Sequence, residues 1–410
     1  MREWTARLAA VALAVAAGIG TASADPSKYP PPNNNCQNTG SFERWLAGFR
    51  QEAAAAGISR ATIQAALDGM TLDHGIIARD RKQGFFAQSF TAFAGKLVTP
   101  NRIQAGAAKL KQHRELLARV EKDYGVPGPV IVAFWALESD FGAGMGNLPV
   151  LRSLVTLAYD CRRPQMFRDE LMDALRIIDR GDLTPGEMIG SWAGELGQTQ
   201  FLPSHYFKHA VDYDGDGRRN LMRSTPDVVA STANFLVYLG WQRGQPWLDE
   251  VRVPSNLAWD QADLAIQHPR AKWAAWGVTL ADGRPLPGDN LPASLVLPMG
   301  RFGPAFLAYP NFQAYLKWNQ SLNYCLSAAH LAARLAGAPP FRKGSAEIPE
   351  WSQPAMKELQ QLLVRRGYQV GEVDGKMGAG TRAAVKSAQM KFGLPADSYP
   401  TPELLERLRR

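Results

Sequence analysis

Apolar residues recur along much of the chain at the spacing of amphipathic helices. Phe42, Trp45, Leu46 and Phe49 stand at i, i+3, i+4 and i+7, which predicts a helix with one buried face. Similar helical patterns occupy residues 53–67, 101–124, 151–159, 166–180, 226–239, 312–318 and 324–335. The sequence therefore predicts a mainly α fold.

A stretch at residues 247–299 departs from the helical pattern. It holds many Pro, Gly and Asp residues around short apolar runs such as residues 293–297. Short apolar runs bounded by turn-forming residues are typical of strands. We therefore expect a small β-containing insertion here.

One predicted helix is apolar on every side and ends at a carboxylate. Residues 130–137 are all apolar, Pro129 suits a first helical turn, and Glu138 follows directly. A helix without a polar face is a buried helix. A carboxyl group placed where such a helix meets a turn tends to have a raised pKa, because burial penalises its charged form. Glu138 is therefore the predicted catalytic residue, a general acid working near neutral pH.

Composition divides the remaining chain into segments. Residues 1–24 combine a basic start, an apolar stretch and the small-residue pattern Ala22-Ser23-Ala24, which predicts a signal peptide cleaved near Ala24 and a periplasmic or otherwise exported protein. The apolar stretch is short for a membrane span, so we expect no stable membrane anchor. Four further segments are predicted: a spacer at 25–40, a large, mostly helical domain at 41–338, a linker rich in Pro and Gly at 339–352, and a small helical domain at 353–410.

The formal net charge of +8 favours anionic polymers as partners. There is no long basic run and no interleaving of basic and aromatic residues, so nucleic acid is not an expected partner. Cys36, Cys161 and Cys325 allow one disulfide and one remaining thiol, and the sequence leaves the pairing open. Their spacing does not suit zinc. We expect a monomer that requires no cofactor for its chemistry.

Four separated blocks of sequence surround or follow Glu138. They are Glu138-Ser139 with Phe141-Gly142, then Ser191-Trp192-Ala193-Gly194, then Gln200-Phe201-Leu202-Pro203-Ser204, and finally Asn319-Gln320-Ser321-Leu322-Asn323-Tyr324. In this order and approximate spacing, the chain over residues 41–338 resembles the lytic murein transglycosylases of the membrane-bound type B class. The resemblance implies a lysozyme-like helical catalytic domain that contains the β insertion.

The resemblance also implies a reaction. Enzymes of this class cleave the β-1,4 bond between N-acetylmuramic acid and N-acetylglucosamine in peptidoglycan, and they form 1,6-anhydromuramic acid ends. Glu138 acts first as acid and then as base, whereas most glycoside hydrolases use two carboxylates. Glu195 stands where relatives often have a small residue, and we expect it to cap or pair locally. The matching substrate-binding positions are Ser191, Gln200, Trp318, Asn319 and Tyr324, with tyrosine usual at Trp318.

The small C-terminal unit has its own resemblance. Its matching residues are Leu359-Gln360, Gly367-Tyr368, Val373-Asp374-Gly375, Gly378, Thr381-Arg382, Ala384-Val385, Gln389 and Phe392-Gly393-Leu394. These resemble the peptidoglycan-binding domain of many wall enzymes, which implies three helices and glycan strands as the partner. The chain departs from the pattern at Asp397-Ser398, where Asp-Gly is usual.

An acidic segment from Asp212 to Asn220 satisfies the first half of a calcium loop. Arg223 occupies the position of the usual last carboxylate, and type B relatives have an EF-hand-like loop at this point. A structural Ca²⁺ is therefore expected, against the alternative of a turn without metal whose charges the arginines relieve. The predicted metal set is Asp212, Asp214, Asp216, Arg218 and Asp227.

Two other functions remain open at this level. A lysozyme-like muramidase would let water complete the reaction and would release reducing ends. A non-catalytic wall-binding protein would use the same surface without Glu138 chemistry.

Overall fold

The computed structural model describes residues 28–82, 88–344 and 348–410. The predicted signal peptide at 1–24 and the first part of the spacer lie outside the described residues. The chain forms two compact units. The first comprises the described residues up to 82 together with 106–239, and the second comprises the described residues of 88–105 and 240–410.

Helices dominate the described residues, as the sequence predicted. In chain order they are α1 Phe42–Ala55, α2 Arg60–Leu67, α3 His74–Arg81, α4 Phe90–Leu97, α5 Pro100–Gln112, α6 Arg114–Tyr124, α7 Gly128–Ser139, α8 Val150–Tyr159, α9 Pro164–Asp179, α10 Pro203–His209, α11 Thr225–Tyr238, α12 Arg270–Ala275, α13 Phe312–Trp318, α14 Leu322–Leu335, α15 Gln353–Arg365, α16 Ala379–Lys391 and α17 Pro402–Arg409. None of the helices in the described part of the chain is long and apolar enough to span a membrane.

The first unit is organised around α7, which contacts α6 and α11. Every residue from Val130 to Leu137 is at most 4% exposed, because the helix has no polar face to turn toward water. A short antiparallel ladder, β1 Leu148–Pro149 and β2 Ile189–Gly190, lies in the same unit. The prediction of a buried helix leading to Glu138 is confirmed.

The single helix predicted over 101–124 is wrong in one respect, because the chain forms α5 and α6 with a break at His113. This residue adopts φ −109° and ψ 27°, outside the helical region. Its ring lies 5.8 Å from the ring of Trp135 on α7. Packing of His113 against the buried helix accompanies the break, and a local apolar pattern does not contain that contact.

The second unit contains a five-stranded antiparallel sheet in the order β4-β6-β7-β3-β5. Its strands are β3 Leu248–Arg252, β4 His268–Pro269, β5 Thr279–Leu280, β6 Pro292–Val296 and β7 Ala305–Ala308. The predicted β insertion is confirmed, but the sheet continues past residue 299 to include β7. All four residues of β7 are buried, so the strand has no alternation of polar and apolar positions by which to recognise it.

The last part of the second unit is the three-helix module predicted from the sequence, formed by α15, α16 and α17. Leu359, Leu363, Val385 and Leu404 are fully buried in its core. Ser398, where glycine is usual, adopts φ 63° in the left-handed region. Its backbone N–H donates to Gln389 Oε1 at 3.1 Å. The turn therefore keeps the glycine conformation at a cost of about 1–2 kcal/mol.

Cys36 and Cys161 form the disulfide, and Cys325 is a buried thiol. The crosslink joins residues 125 positions apart. Beside it, the Asn33 N–H donates to the Arg162 carbonyl at 3.0 Å. The segment before α1 is thus fastened to the loop between α8 and α9, and the pairing that the sequence left open is settled.

Reduction of this disulfide should lower the free energy of unfolding by about 2–5 kcal/mol, since a long loop regains its entropy in the unfolded chain. Urea unfolding with and without reductant measures the change. A Cys36→Ala/Cys161→Ala variant should be insensitive to reductant. Three reactive thiols in the denatured, unreduced wild type would contradict the crosslink.

Candidate active site

Glu138 lies near the C-terminal end of helix α7, where the chain turns sharply. Glu138 is partly exposed, although the residues before and after it are buried. Asp140, Phe141 and Gly142 then follow with φ of 46°, 63° and 91°. Two of these are not glycine, and each left-handed non-glycine residue costs about 1–2 kcal/mol. The turn after Glu138 is therefore strained and must be held by contacts elsewhere.

Gln198 supplies those contacts from the loop 194–204. Its backbone carbonyl accepts a hydrogen bond from Ser139 Oγ at 2.5 Å, and its Oε1 accepts one from Trp135 Nε1 at 2.8 Å. A Cβ on Gly142 would lie 2.9 Å from the Gln198 side chain, so the turn needs glycine there. Gln198 was not among the predicted site residues, because its role depends on contacts across about 60 residues of sequence.

Ser191 and Glu195 form a second bonded group in this region. Ser191 Oγ donates to Glu195 Oε2 at 2.6 Å and accepts from the N–H of Glu195 at 3.2 Å. The Ser191 N–H donates in turn to the Glu195 carbonyl at 3.0 Å. Glu195 is only 9% exposed. These bonds give the Glu195 carboxylate the local role that the sequence suggested.

Gln200 lies in the same loop with φ 50°, another left-handed non-glycine residue. Its Nε2 donates to the carbonyls of Gly197 at 2.9 Å and Met145 at 3.2 Å. The side chain is partly exposed. Gln200 thus links the loop 194–204 to the segment before β1, and part of its surface remains exposed to solvent.

Three predicted substrate-binding residues belong to the second unit. Trp318 ends α13, Asn319 caps it, and Tyr324 lies in the first turn of α14. All three are at most 3% exposed. Asn319 Oδ1 accepts the Ser321 N–H at 2.9 Å, so this residue shapes the connection between the two helices.

The acidic loop gathers three carboxylates. Oxygen atoms of Asp212, Asp214 and Asp227 all lie within 4.8 Å of one another. Asp227 Oδ1 and Oδ2 accept the N–H groups of Tyr213 and Asn220 at 2.8 and 2.7 Å. Burial raises the pKa of Asp227, and the charge of Asp214 raises it further. Three hard oxygen donors at this spacing suit Ca²⁺.

The other two residues of the predicted metal set lie differently. The Asp216 carboxylate accepts the Arg218 N–H at 2.8 Å and is not among the three that converge. The Arg218 guanidinium donates to the Asp182 carbonyl at 2.8 Å and to Glu187 at 2.9 Å, and Arg219 pairs with Asp182. These arginine contacts are with acidic residues outside the loop.

Glu170 on α9 anchors the end of the 194–204 loop. Its two carboxylate oxygens accept the Ser204 N–H at 2.9 Å and the Ser204 hydroxyl at 2.8 Å. Glu170 is 2% exposed, and burial raises its pKa to about 7 despite the Ser204 hydrogen bonds, which lower it. The start of α10 is therefore held by a carboxyl group that titrates near neutrality.

Stability should depend on the proton of Glu170. Because its pKa is raised from 4.5 to about 7 on folding, the folded chain holds this proton more tightly than the unfolded chain. The stabilisation is present at acidic pH and is lost as pH rises through about 7, by up to about 3 kcal/mol. Urea unfolding of the wild type and of Glu170→Gln between about pH 5 and about pH 8 measures it. Parallel pH profiles for the two proteins would refute this role.

Family models match nearly the whole described chain. The transglycosylase SLT domain model matches residues 41–333, and a peptidoglycan binding domain model matches residues 352–408. Among curated proteins, the membrane-bound lytic murein transglycosylase B of Escherichia coli (strain K12) is 32% identical over 248 residues. That match covers 59% of this chain and 66% of the Escherichia coli protein.

Several solved structures are similar to this fold, including the following two. SltB3 from Pseudomonas aeruginosa, in complex with NAG-anhNAM-pentapeptide, is 43% identical with a TM-score of 0.84, covering 91% of this chain and 100% of that chain. The Escherichia coli lytic transglycosylase Slt35, in complex with calcium, is 26% identical with a TM-score of 0.61. The second match covers 79% of this chain and 97% of that chain.

Proposed function

The chain belongs to the transglycosylase SLT family, and from that premise we propose that Glu138 is the single acid and base of its reaction. The protein is a lytic transglycosylase of peptidoglycan with a C-terminal peptidoglycan-binding domain. The bond cleaved is the β-1,4 bond between N-acetylmuramic acid and N-acetylglucosamine. The observation that carries this proposal is the placement of Glu138 at the end of a fully buried helix, partly open to solvent.

The reaction proceeds in two steps with one carboxyl group. Protonated Glu138 first donates its proton to the glycosidic oxygen, and the bond from that oxygen to the anomeric carbon breaks. The acetamido oxygen of the muramic acid residue stabilises the anomeric carbon meanwhile. Ionised Glu138 then takes the proton of the C6 hydroxyl, whose oxygen bonds to the anomeric carbon. Glu138 ends protonated, the product has a 1,6-anhydro ring, and no water is consumed.

Glu195 is the one acidic residue of the 194–204 loop, and its carboxylate is already engaged. Glu195 is bonded to Ser191 through its side chain and through its backbone. These bonds hold the Glu195 carboxylate within its own turn, which supports a route with one acid. Ser191, Gln200, Trp318, Asn319 and Tyr324 are proposed to bind the glycan.

Replacement of Glu138 by Gln should strongly slow the release of 1,6-anhydro muropeptides from purified sacculi. The neutral amide keeps the shape but has no proton to give, so the rate should fall by about 10²–10⁴-fold. Mass spectrometry of the products measures the loss, and an unchanged melting temperature shows that the fold is intact. Unchanged digestion would remove Glu138 from the mechanism.

The same product analysis separates the alternatives. A hydrolytic muramidase releases muropeptides with reducing ends, which differ in mass from anhydro ends by one water. A wall-binding protein without catalysis releases neither. The anhydro product named with SltB3 favours the lytic route for this chain.

We further propose that the acidic loop holds a structural Ca²⁺. Asp212, Asp214 and Asp227 fit this ion because three carboxylates so close together repel one another until a cation is shared. Asp227 also bonds the backbone at both ends of the loop. The ion would hold that loop closed and would take no part in the proton transfers.

Calcium should raise the free energy of unfolding by roughly 1–3 kcal/mol at saturating concentration. Thermal unfolding in calcium and in chelator measures the shift. Asp227→Asn should remove most of it, whereas Asp282→Asn, an exposed carboxylate in a turn of the second unit, should leave it intact. Equal melting temperatures of the wild type in calcium and chelator would exclude a structural ion.

The C-terminal module is proposed to hold the enzyme on its polymeric substrate and so to raise the local concentration of glycan. The protein is proposed to work as a monomer in the periplasm or another exported space. The Cys36–Cys161 disulfide supports that location, because such crosslinks persist in oxidising compartments.

A further inference from the structure

Gln198 uses all four of its polar groups in a buried position. Besides its bonds to Ser139 and Trp135, its N–H donates to the Leu221 carbonyl at 2.9 Å and its Nε2 donates to the Met222 carbonyl at 3.1 Å. The residue is 9% exposed. Hydrogen bonds shielded from water are stronger, and an unpaired partner left behind is costly.

Two of these bonds reach α7 on either side of Glu138. Trp135 precedes Glu138 by one helical turn, and Ser139 follows it directly. The other two bonds reach residues 221–222, which are themselves fixed. Leu221 N–H donates to Tyr206 Oη at 3.1 Å, and Tyr206 donates to the Arg219 carbonyl at 2.5 Å.

The strained turn needs such an external support. Asp140 and Phe141 hold left-handed conformations that their own side chains disfavour. The Ser139 hydroxyl accepts the Gly142 N–H at 2.8 Å while it donates to Gln198. Gln198 thereby contacts both α7 and the turn that follows it, and Glu138 lies close to the point where the two meet.

We propose that Gln198 is the positioning residue for Glu138, joining the last turn of α7 to the rigid segment 221–222. This inference rests on the proposed role of Glu138 as the acid. Gln198 sets the direction of the carboxyl group toward the glycosidic oxygen and takes no proton itself. Small displacements of a catalytic group cost rate, since the reacting atoms must be aligned.

The test uses variants that break individual bonds in the full-length protein. Gln198→Met preserves side-chain length and removes both side-chain hydrogen bonds. Trp135→Phe removes the indole donor together with part of the ring that packs against His113 and Phe141. Each should lower kcat on a soluble glycan about tenfold with KM changed less than about twofold. Both substitutions break the hydrogen bond between Trp135 and Gln198. The kcat of the double variant should therefore be only slightly lower than that of the less active single variant.

Gln198→Glu supplies a conservative rescue. A protonated carboxyl group can accept from Trp135 and donate to Met222, whereas an ionised one loses the donor and repels the carbonyl. Relative to the wild type at the same pH, its kcat should recover toward about pH 5 and fall about tenfold by about pH 8, while Gln198→Met stays low throughout.

The matched control is Asn234→Leu. Asn234 lies in the same unit and its amide likewise donates to a backbone carbonyl, that of His209 at 2.9 Å. All proteins are assayed at the same interval below their own melting temperatures. If Gln198→Met loses no more kcat than Asn234→Leu, or if Gln198→Glu shows no rescue at acidic pH, the positioning role is wrong. An active Glu138→Gln would overturn the proposed function together with this inference, whereas an inactive one leaves the failure with Gln198 alone.

Discussion

A helix with no polar face can present chemistry only at its ends, and this constraint governs the first unit. From Val130 to Leu137, the side chains of α7 are apolar apart from the indole N–H of Trp135, and neighbouring residues cover all of them. The one carboxylate of α7, that of Glu138, lies where neighbouring residues no longer cover the helix completely. Rigidity and access are thus combined at a single residue, Glu138, because the close packing around the buried helix holds it in one orientation. The turn at residues 140–142 then contributes to the orientation of the Glu138 carboxyl group.

Acidic side chains of the first unit have different roles, which depend on the donor groups around each of them. Glu195 receives the Ser191 hydroxyl and Glu170 receives Ser204, so both carboxyl groups fix backbone. The Asp212, Asp214 and Asp227 carboxylates converge instead, which makes them suited to a cation. The same functional group therefore holds the backbone at Glu195 and Glu170, and we propose that it binds a cation in the acidic loop and donates a proton at Glu138.

The sequence predicted features that depend on neighbours along the chain. Periodic apolar residues located most helices, and the run before Glu138 located α7, because both signals are local. The break at His113 depends on a ring packed against Trp135, and β7 is buried on both faces, so neither has a local signal. Gln198 escaped notice for the same reason, since its partners lie at 135, 139, 221 and 222. The resemblance identified Ser191 and Gln200 as substrate-binding positions, and the structure shows the hydrogen bonds that they make within the protein.

The position of the disulfide has a consequence for how the protein matures. When the chain is synthesised from its N-terminus, Cys36 emerges long before its partner, because Cys161 lies 125 positions later in the sequence. Cys161 in turn emerges before Cys325, which ends buried within α14. The order of appearance thus offers Cys36 the native partner before the competing one. The native pairing is therefore the one that linear order along the chain favours.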